Sequence, residues 1–413
     1  MRRVADVVAH VRAHPSLAVI LAEAFLARLG FSMVTFALPF YAKSLGFSLT
    51  EIGALIALRI VVSIFFKPVM GMAADKFGVK SVYVGSIAGR CAIALLFVLA
   101  TQPWALFVVR GLQGLTSAAR EPAAALLVVE HADDAQVARS FSWYAAARAV
   151  GMALGFPVAG LVLSLTGDDY RVLFLLTAIV SAVACALVWR YAAAERPVRS
   201  QPAVAAGPAD GHTRRSASDW LRIAPMVLLM AIPANMVDSL FPLIVTERIG
   251  LDKAGIGLIY ALSMGVVVIA GPLLGWAADT VSRRLVLAVR CVANVVSSLL
   301  YLVLPGFWGM TTARLVDDIG RAAFKPAWGS MMGEIARSGD KASRGRRLAY
   351  LDTAESIGEA AGPVLAGLLW QHGGIGWLFG VRVALSIVAE LHATWTLRRT
   401  AAATDEPGSA RRH

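Results

Sequence analysis

Apolar residues fill most of the chain in long stretches, which short clusters of glycine, proline and charged residues separate. A stretch of about 20 apolar residues is long enough to cross a bilayer as a helix, and lipid offers the backbone no other hydrogen-bond partners. The pattern therefore predicts an all-α membrane protein with twelve transmembrane helices. The predicted ranges are 17–42, 52–73, 81–100, 103–130, 139–166, 170–192, 221–247, 254–278, 285–304, 307–335, 346–371 and 375–397.

The composition agrees with this pattern and excludes several classes of protein. Hydrophobic residues make up 58% of the chain and charged residues 16%, whereas roughly a quarter of the residues in a soluble protein are charged. The three cysteines lie in apolar stretches, without a spacing that favours a disulfide or a metal site. The sequence has no H-E-x-x-H, G-x-S-x-G or Walker A pattern. We therefore predict neither an enzyme nor an ATP-driven pump, and no cofactor, with a proton gradient as the energy source.

The net charge of +12 is distributed by loop, which argues for membrane topology rather than for a nucleic-acid partner. Lysine and arginine concentrate in every second loop, whereas the opposite loops carry only Lys43, Arg171, Arg248 and Lys253. Because positively charged loops stay in the cytoplasm, we predict a multi-pass protein of the bacterial inner membrane with both termini cytoplasmic. The expected partners are the lipid bilayer and a small-molecule substrate.

A polar segment at 196–219 separates two halves of similar design. Its proline, alanine, glycine and serine content favours a linker between a six-helix bundle at 1–195 and another at 220–400, with a cytoplasmic tail at 401–413. Six helices per half make the halves parallel repeats, related by an axis along the membrane normal. The matched pairs, at an offset of about 204, include Gly46 with Gly250, Gly53 with Gly257, Gly71 with Gly275, Asp75 with Asp279, Arg110 with Arg314 and Pro122 with Pro326.

Four segments carry a family resemblance. GMAADKFGVK at 71–80 resembles the loop signature of the major facilitator superfamily, and VVRGLQG at 108–114 is similar to its fourth-helix arginine motif. GMALGFPVAG at 151–160 resembles the fifth-helix motif of the antiporters in that family, although Phe156 stands before the proline. GEAAGPVLAG at 358–367 is a closer match in the eleventh helix. The resemblance implies a monomer of two six-helix bundles around a cavity that opens alternately to each side.

The resemblance also assigns a gating role to the loop after the second helix of each half. Asp75 would latch the two halves by accepting hydrogen bonds from a helix N-terminus or by pairing with a loop arginine such as Arg344. We expect Gly71 to let a neighbouring helix approach and Gly78 to adopt a positive φ. The alternative is that these charges only set topology. The gating-loop residues are Gly71, Asp75, Lys76, Gly78, Lys80, Gly275, Asp279, Arg283 and Arg284.

Glycines and prolines in the fifth and eleventh helices predict close helix packing and a soft bend. In antiporters of the family this bend would also seal the protein against leak, and packing alone is the alternative. The residues concerned are Gly151, Gly155, Pro157, Gly160, Gly358, Gly362, Pro363 and Gly367.

Charged and polar residues inside the predicted spans are the main functional candidates, because each charge at mid-helix costs roughly 2.5–3.5 kcal/mol on insertion scales. In the family, the first, fourth, seventh and tenth helices line the cavity, and these helices carry most of them. The candidates for proton coupling and for the cavity are Glu23, Arg28, Arg110, Arg120, Glu121, Asn235, Asp238, Arg314, Asp317, Asp318 and Lys325.

Glu23 and Asp238 fit a proton-coupling role best, since each has few partners within its own helix. The tenth helix can instead neutralise itself, because Asp317 and Asp318 are spaced to pair with Arg321. Glu355 and Glu359, one turn apart in the eleventh helix, are a weaker candidate pair. Glu121 and Lys325 occupy equivalent positions in the two halves and could meet. The fourth-helix arginine, Arg110, would assist proton transfer by family resemblance, or would pair structurally.

These observations predict a secondary transporter that exports a small organic solute in exchange for protons. Export is favoured because LARLGFSMVTFALPFYAKSLG, in the first helix, resembles drug exporters of the superfamily. The alternative is a proton-coupled importer of a charged metabolite, which the number of buried charges favours. The sequence leaves the substrate open.

Overall fold

The chain folds almost entirely into helices. The structure is a computed structural model, and it describes residues 15–130, 137–192, 219–280, 283–337 and 344–405. These residues contain no β-strand, so the predicted all-α fold is confirmed. The helices are Pro15–Ser44, Leu49–Phe77, Val79–Leu99, Pro103–Glu130, Val137–Leu165, Tyr170–Ala192, Asp219–Met236, Phe241–Ile249, Lys253–Thr280, Arg283–Val303, Phe307–Arg337 and Arg344–Asp405.

Three of the predicted helices differ from the observed ones. The seventh predicted helix is broken into Asp219–Met236 and Phe241–Ile249, and the two segments are bent by 40°. Proline explains the break, because Pro233 lies inside the first segment and Pro242 is the second residue of the second, and neither can donate a backbone hydrogen bond. The eleventh and twelfth predicted helices are merged in Arg344–Asp405, with a non-helical backbone at Gly374 (φ 74°, ψ 179°) between them.

Length and hydropathy mark only some of these helices as membrane spans. Within the described part of the chain, six helices are individually long and apolar enough to cross a membrane, and the broken seventh helix adds one if its segments are counted together. One of the six, Leu348–Thr396, is 49 residues long and therefore has the length of two spans. The fourth and tenth helices are not in this set. Both carry several buried charged residues, which lower their mean hydropathy.

The residues divide into two compact units. The first unit contains residues 1–48, 54–202 and 245–264. In it the first helix packs against the fifth and sixth, and the third packs against the fourth and sixth. Ile20, Tyr83 and Leu127 belong to a core cluster that joins the first, third and fourth helices.

The second unit contains residues 49–53, 203–244 and 265–413. In it Asp219–Met236 packs along Arg344–Asp405, and Arg283–Val303 packs against Phe307–Arg337. The boundaries of the two six-helix domains stay a prediction, because the linker lies almost wholly outside the described residues.

The sequence repeat has a counterpart in the backbone. Gly46 and Gly250, which match at the offset of 204, both adopt a left-handed conformation, with φ of 86° and 64°. Each follows a helix and precedes the next one by a few residues. A side chain in this conformation is strained, so glycine is the natural residue at both turns.

Candidate functional site

The carboxylate of Glu23 is held by two other helices. It is almost fully buried, and Arg120 donates two hydrogen bonds to it, of 2.8 Å from Nε and 2.6 Å from Nη2. The hydroxyl of Tyr83 donates a third, of 2.6 Å. Spacing along the first helix indicated few partners for Glu23, and the structure supplies them from the fourth and third helices.

Beside this pair lies a cavity with a strongly basic wall. It lies within the first unit. Phe31 is at its wall, with the guanidinium carbons of Arg28 and Arg59 at 5.0 and 5.1 Å from the ring centroid. The charged residues that line it are Arg28, Arg59, Arg90, Arg120, Glu121 and Arg148.

Arg110, the fourth-helix arginine, is buried but faces no carboxylate among the described residues. Its Nη1 donates a short hydrogen bond to the amide oxygen of Gln113, and its Nε donates one of 3.4 Å to the carbonyl oxygen of Leu55. Because Gln113 also lines the basic cavity, this hydrogen bond joins Arg110 to the cavity wall.

A second network lies in the other unit, around Asp238. Arg314 and Arg321 each form an ion pair with this carboxylate, at 2.7 and 2.5 Å. Both arginines also pair with Asp318, at 3.0 and 2.7 Å. The tenth helix therefore contains the predicted neutralising pair of Asp318 and Arg321, and it shares its arginines with the broken seventh helix.

Asp317 anchors the buried end of the second network. Its closest partner is Arg382, at 2.6 Å, and both side chains are fully buried. Arg382 also donates to the carbonyl oxygen of Pro233 and to the side-chain oxygens of Asn294, Ser297 and Ser298. The guanidinium thereby connects the last helix with the seventh, ninth and tenth.

Other candidates lie outside these networks. The Asn235 amide donates to the carbonyl oxygen of Ala231 in its own helix, at 2.9 Å. Glu355 accepts a hydrogen bond of 2.7 Å from the indole of Trp328. The side chain of Lys325 is outside the described part of the structure, so its meeting with Glu121 stays a prediction.

Five arginines of the networks were not among the sequence candidates. The intramembrane charges considered from the sequence lie in the first, fourth, seventh, tenth and eleventh helices, whereas these arginines lie in the second, third, fifth, ninth and twelfth. A count of arginines over all predicted spans would have found them. They are Arg59, Arg90, Arg148, Arg290 and Arg382.

The first gating loop agrees with one expectation and departs from another. Gly78 adopts φ of 85°, as the turn requires. Gly71, expected to accommodate a neighbouring helix, faces open space instead, since no described atom lies within 4 Å of where its Cβ would be. The latch of Asp75 stays a prediction. In the second loop, the surroundings of Gly275 and the side chains of Asp279, Arg283 and Arg284 are outside the described part of the structure.

The glycines of the fifth and eleventh helices all lie at close helix contacts. A Cβ at Gly151 or Gly155 would collide with carbonyl oxygens of the first helix, and one at Gly358 or Gly362 with the seventh. The next glycine in each helix meets the start of another helix, since Gly160 contacts the carbonyl oxygen of Lys253 and Gly367 that of Leu49. Lys253 and Leu49 are equivalent under the repeat, so the same contact occurs in both units.

We expect Gly160→Ala to destabilise the protein by about 1–3 kcal/mol, because the new methyl group strikes backbone that cannot rotate away. The matched control is Gly85→Ala, in the third helix, where a Cβ meets open space and alanine favours the helix. Thermal unfolding in detergent, followed by tryptophan fluorescence, measures both. Equal melting temperatures for the two variants would show that the contact at Gly160 is not tight.

Comparison with known proteins agrees with this architecture. The family model described as Major Facilitator Superfamily matches residues 21–223 and 223–412. Tetracycline resistance protein, class D, of Salmonella ordonez is 25% identical over 351 residues, which cover 79% of this chain and 83% of that protein. Multidrug resistance protein MdtG of Enterobacter lignolyticus is 24% identical over 400 residues, 92% of this chain and 91% of that protein.

A solved structure gives the same result for the fold. The crystal structure of the nucleoside transporter NupG superposes with a TM-score of 0.69 at 16% identity, over 95% of this chain and 100% of that one. At this identity the likeness concerns the fold alone. The family model covers nearly the whole chain, so this multi-pass membrane protein belongs to the Major Facilitator Superfamily.

Proposed function

We propose that the protein is a secondary transporter of the bacterial inner membrane, with cytoplasmic termini, which exports a small organic solute by alternating access as a monomer. The observation that carries the proposal is the pair of buried charge networks, around Glu23 in one unit and Asp238 in the other. Buried ion pairs contribute little net stability compared with apolar packing, so their presence in two units favours a transport role. Export is supported by the names of the two relatives, which are resistance proteins.

Import of a charged metabolite is the second candidate. The specific observation in its favour is the basic wall of the cavity in the first unit, which a neutral or cationic drug would not need. Transport direction in reconstituted vesicles separates the two candidates.

Proton coupling needs a carboxylate that water reaches and that changes partners during the cycle. Asp238 meets the first condition, since its side chain is 35% exposed, whereas Asp317 and Asp318 are at most 1% exposed. It also lies in the break of the seventh helix, between Met236 and Phe241, where the backbone is free of regular helical bonding. We infer that Asp238 is the proton-carrying group.

We expect Asp238→Asn to abolish proton movement coupled to solute, because the amide cannot ionise but keeps the shape of the side chain. Proteoliposomes loaded with a pH-sensitive dye measure this, with tetracycline, uridine and 1-naphthyl phosphate as test solutes. Wild-type protein should show proton movement with at least one of them.

The control for this variant is Asp169→Asn. Asp169 accepts backbone hydrogen bonds at the start of the sixth helix, and the asparagine oxygen can accept the same bonds. It should transport like the wild type. Full proton-coupled flux in the Asp238 variant would reject the assignment, and no flux of any test solute in the wild type would count against the proposed function.

A further inference from the structure

We propose that the basic cavity of the first unit binds an amphipathic organic anion, whose carboxylate or phosphate group is held by Arg28, Arg59 and Arg148. This inference rests on the proposed transport function and names the class of solute.

The charges of the cavity wall do not balance. Five guanidinium groups line it, but only one lining residue, Glu121, is acidic. Glu23 lies behind the wall and is already engaged by Arg120. Three positive charges therefore remain uncompensated among the described residues around the cavity. Arginine stays charged in proteins, so this excess cannot be removed by loss of protons.

Three of the cavity arginines are turned towards aromatic rings rather than towards acids. Arg28 and Arg59, from the first and second helices, both stack on Phe31, and Arg148, from the fifth, lies 5.6 Å from the ring centroid of Tyr144. None of the three forms an ion pair with a carboxylate of the described residues. Arg28 has one weak contact, at 3.4 Å, with the sulfur of Met152. Stacking holds a guanidinium in place while leaving its in-plane N–H groups available.

Glu121 is the acidic residue of the cavity wall, and an anionic ligand would compete with it for the same arginines. It lines the same cavity, is exposed to it, and lies within electrostatic range of Arg28, Arg59 and Arg148 without contacting them. A bound anion would share these arginines with it. Removal of this carboxylate should therefore strengthen anion binding, whereas removal of an arginine should weaken it.

A second, mostly apolar cavity would accommodate the apolar part of the solute. It shares Phe31, Arg90 and Gln113 with the basic cavity. Most of its remaining wall is apolar, and it includes Val34, Ile93, Ala94 and Phe97. A solute with an acidic group and a hydrocarbon body would match both cavities, with the acid facing the arginines of the first and the hydrocarbon packed in the second. Guanidinium forks bind carboxylate and phosphate with two parallel hydrogen bonds, so both acids belong to the proposed class.

Binding to purified protein in nanodiscs tests the proposal without any transport assay. The probes are 1-naphthyl phosphate, 1-naphthoate and the neutral 1-naphthalenemethanol, which share the apolar body, together with inorganic phosphate, which lacks it. Calorimetry should show that the two naphthyl anions bind at least ten-fold more tightly than either of the other probes. Equal binding of the alcohol and the anions would overturn the proposal.

Three variants identify the site. Arg59→Gln should weaken binding of 1-naphthyl phosphate at least ten-fold, and Glu121→Gln should strengthen it about three-fold or more. Arg171→Gln, which removes the same charge from the exposed first turn of the sixth helix in the same unit, should leave it unchanged. A general loss of folding would weaken binding in the first two variants alike, so the opposite signs report on the site. If all three variants bind like the wild type, the anion lies elsewhere and the assignment is wrong.

A lipid phosphate is the other source of the same chemistry. Nanodiscs of phosphatidylcholine alone and with phosphatidylglycerol distinguish the two. Unchanged affinity for 1-naphthyl phosphate supports a soluble solute, whereas displacement by phosphatidylglycerol overturns that assignment in favour of lipid. Anion binding without flux would contradict the proposed transport function but keep the site. Flux of tetracycline or uridine without anion binding would support the proposed transport function but contradict the anion site.

Discussion

Asp317→Asn is expected to lower the free energy of unfolding by about 3–5 kcal/mol, the range for breaking a buried ion pair by removing one partner. The change leaves Arg382 fully buried without its 2.6 Å carboxylate partner. It also removes the charge that faces Arg321 at 3.7 Å and Arg290 at 3.9 Å. Asparagine can accept one hydrogen bond at this site, but it cannot neutralise three arginines. Denaturation in mixed detergent micelles, followed by tryptophan fluorescence, measures the loss.

Two further variants test whether that loss comes from the broken ion pair with Arg382. Asp352→Asn removes an exposed carboxylate from the same unit and should change stability by less than about 1 kcal/mol. The double variant of Asp317→Asn with Arg382→Met should be more stable than Asp317→Asn alone, because it leaves one fewer buried charge unpaired. A double variant no more stable than the single one would show that Arg382 is not the partner whose charge matters.

The second large effect is expected at Glu23 and Arg120. Glu23→Gln should destabilise the first unit by about 3–5 kcal/mol, because the guanidinium of Arg120 would lose two charged hydrogen bonds in a buried position. The same argument applies to Arg120→Gln. The double variant should recover much of the loss, with a coupling energy of about 1–3 kcal/mol between the two residues.

This cycle also separates a structural role of Glu23 from a coupling role. If the pair is structural, the double variant regains both stability and proton-coupled flux. If Glu23 itself carries a proton, the double variant regains stability alone. We expect the structural result, because Glu23 is about 1% exposed and bonded on both oxygens, whereas Asp238 is open to water. Recovery of stability without flux would move the proton-coupling assignment from Asp238 to Glu23.

Local sequence signals predicted the helices well where one physical rule dominates. Hydropathy located the first helix, predicted at 17–42 and observed at Pro15–Ser44, because lipid exposure requires an apolar surface over the whole span. The repeat offset paired Gly46 with Gly250, and the structure shows the same left-handed turn at both. The seventh helix was predicted as unbroken because hydropathy is indifferent to proline, whereas the backbone is not.

The candidate site was predicted only in part, because spacing along one helix defines neighbours within that helix alone. This spacing predicted the ion pairs within the tenth helix, and Asp318 does contact Arg321. Glu23 instead meets Arg120, which is 97 residues away, and Asp317 meets Arg382, which is 65 residues away. No periodicity connects such residues, since helix packing decides which faces meet.

The sequence by itself determined that this is a helical membrane protein built from two related halves, with ionised residues inside its spans. Those properties follow from composition and periodicity, which act residue by residue. The tertiary structure decided which carboxylates are neutralised and which arginines are left facing a cavity. The physical reason is that a buried charge is stabilised by whatever lies within a few ångströms of it, and those neighbours come from helices that are distant in the chain.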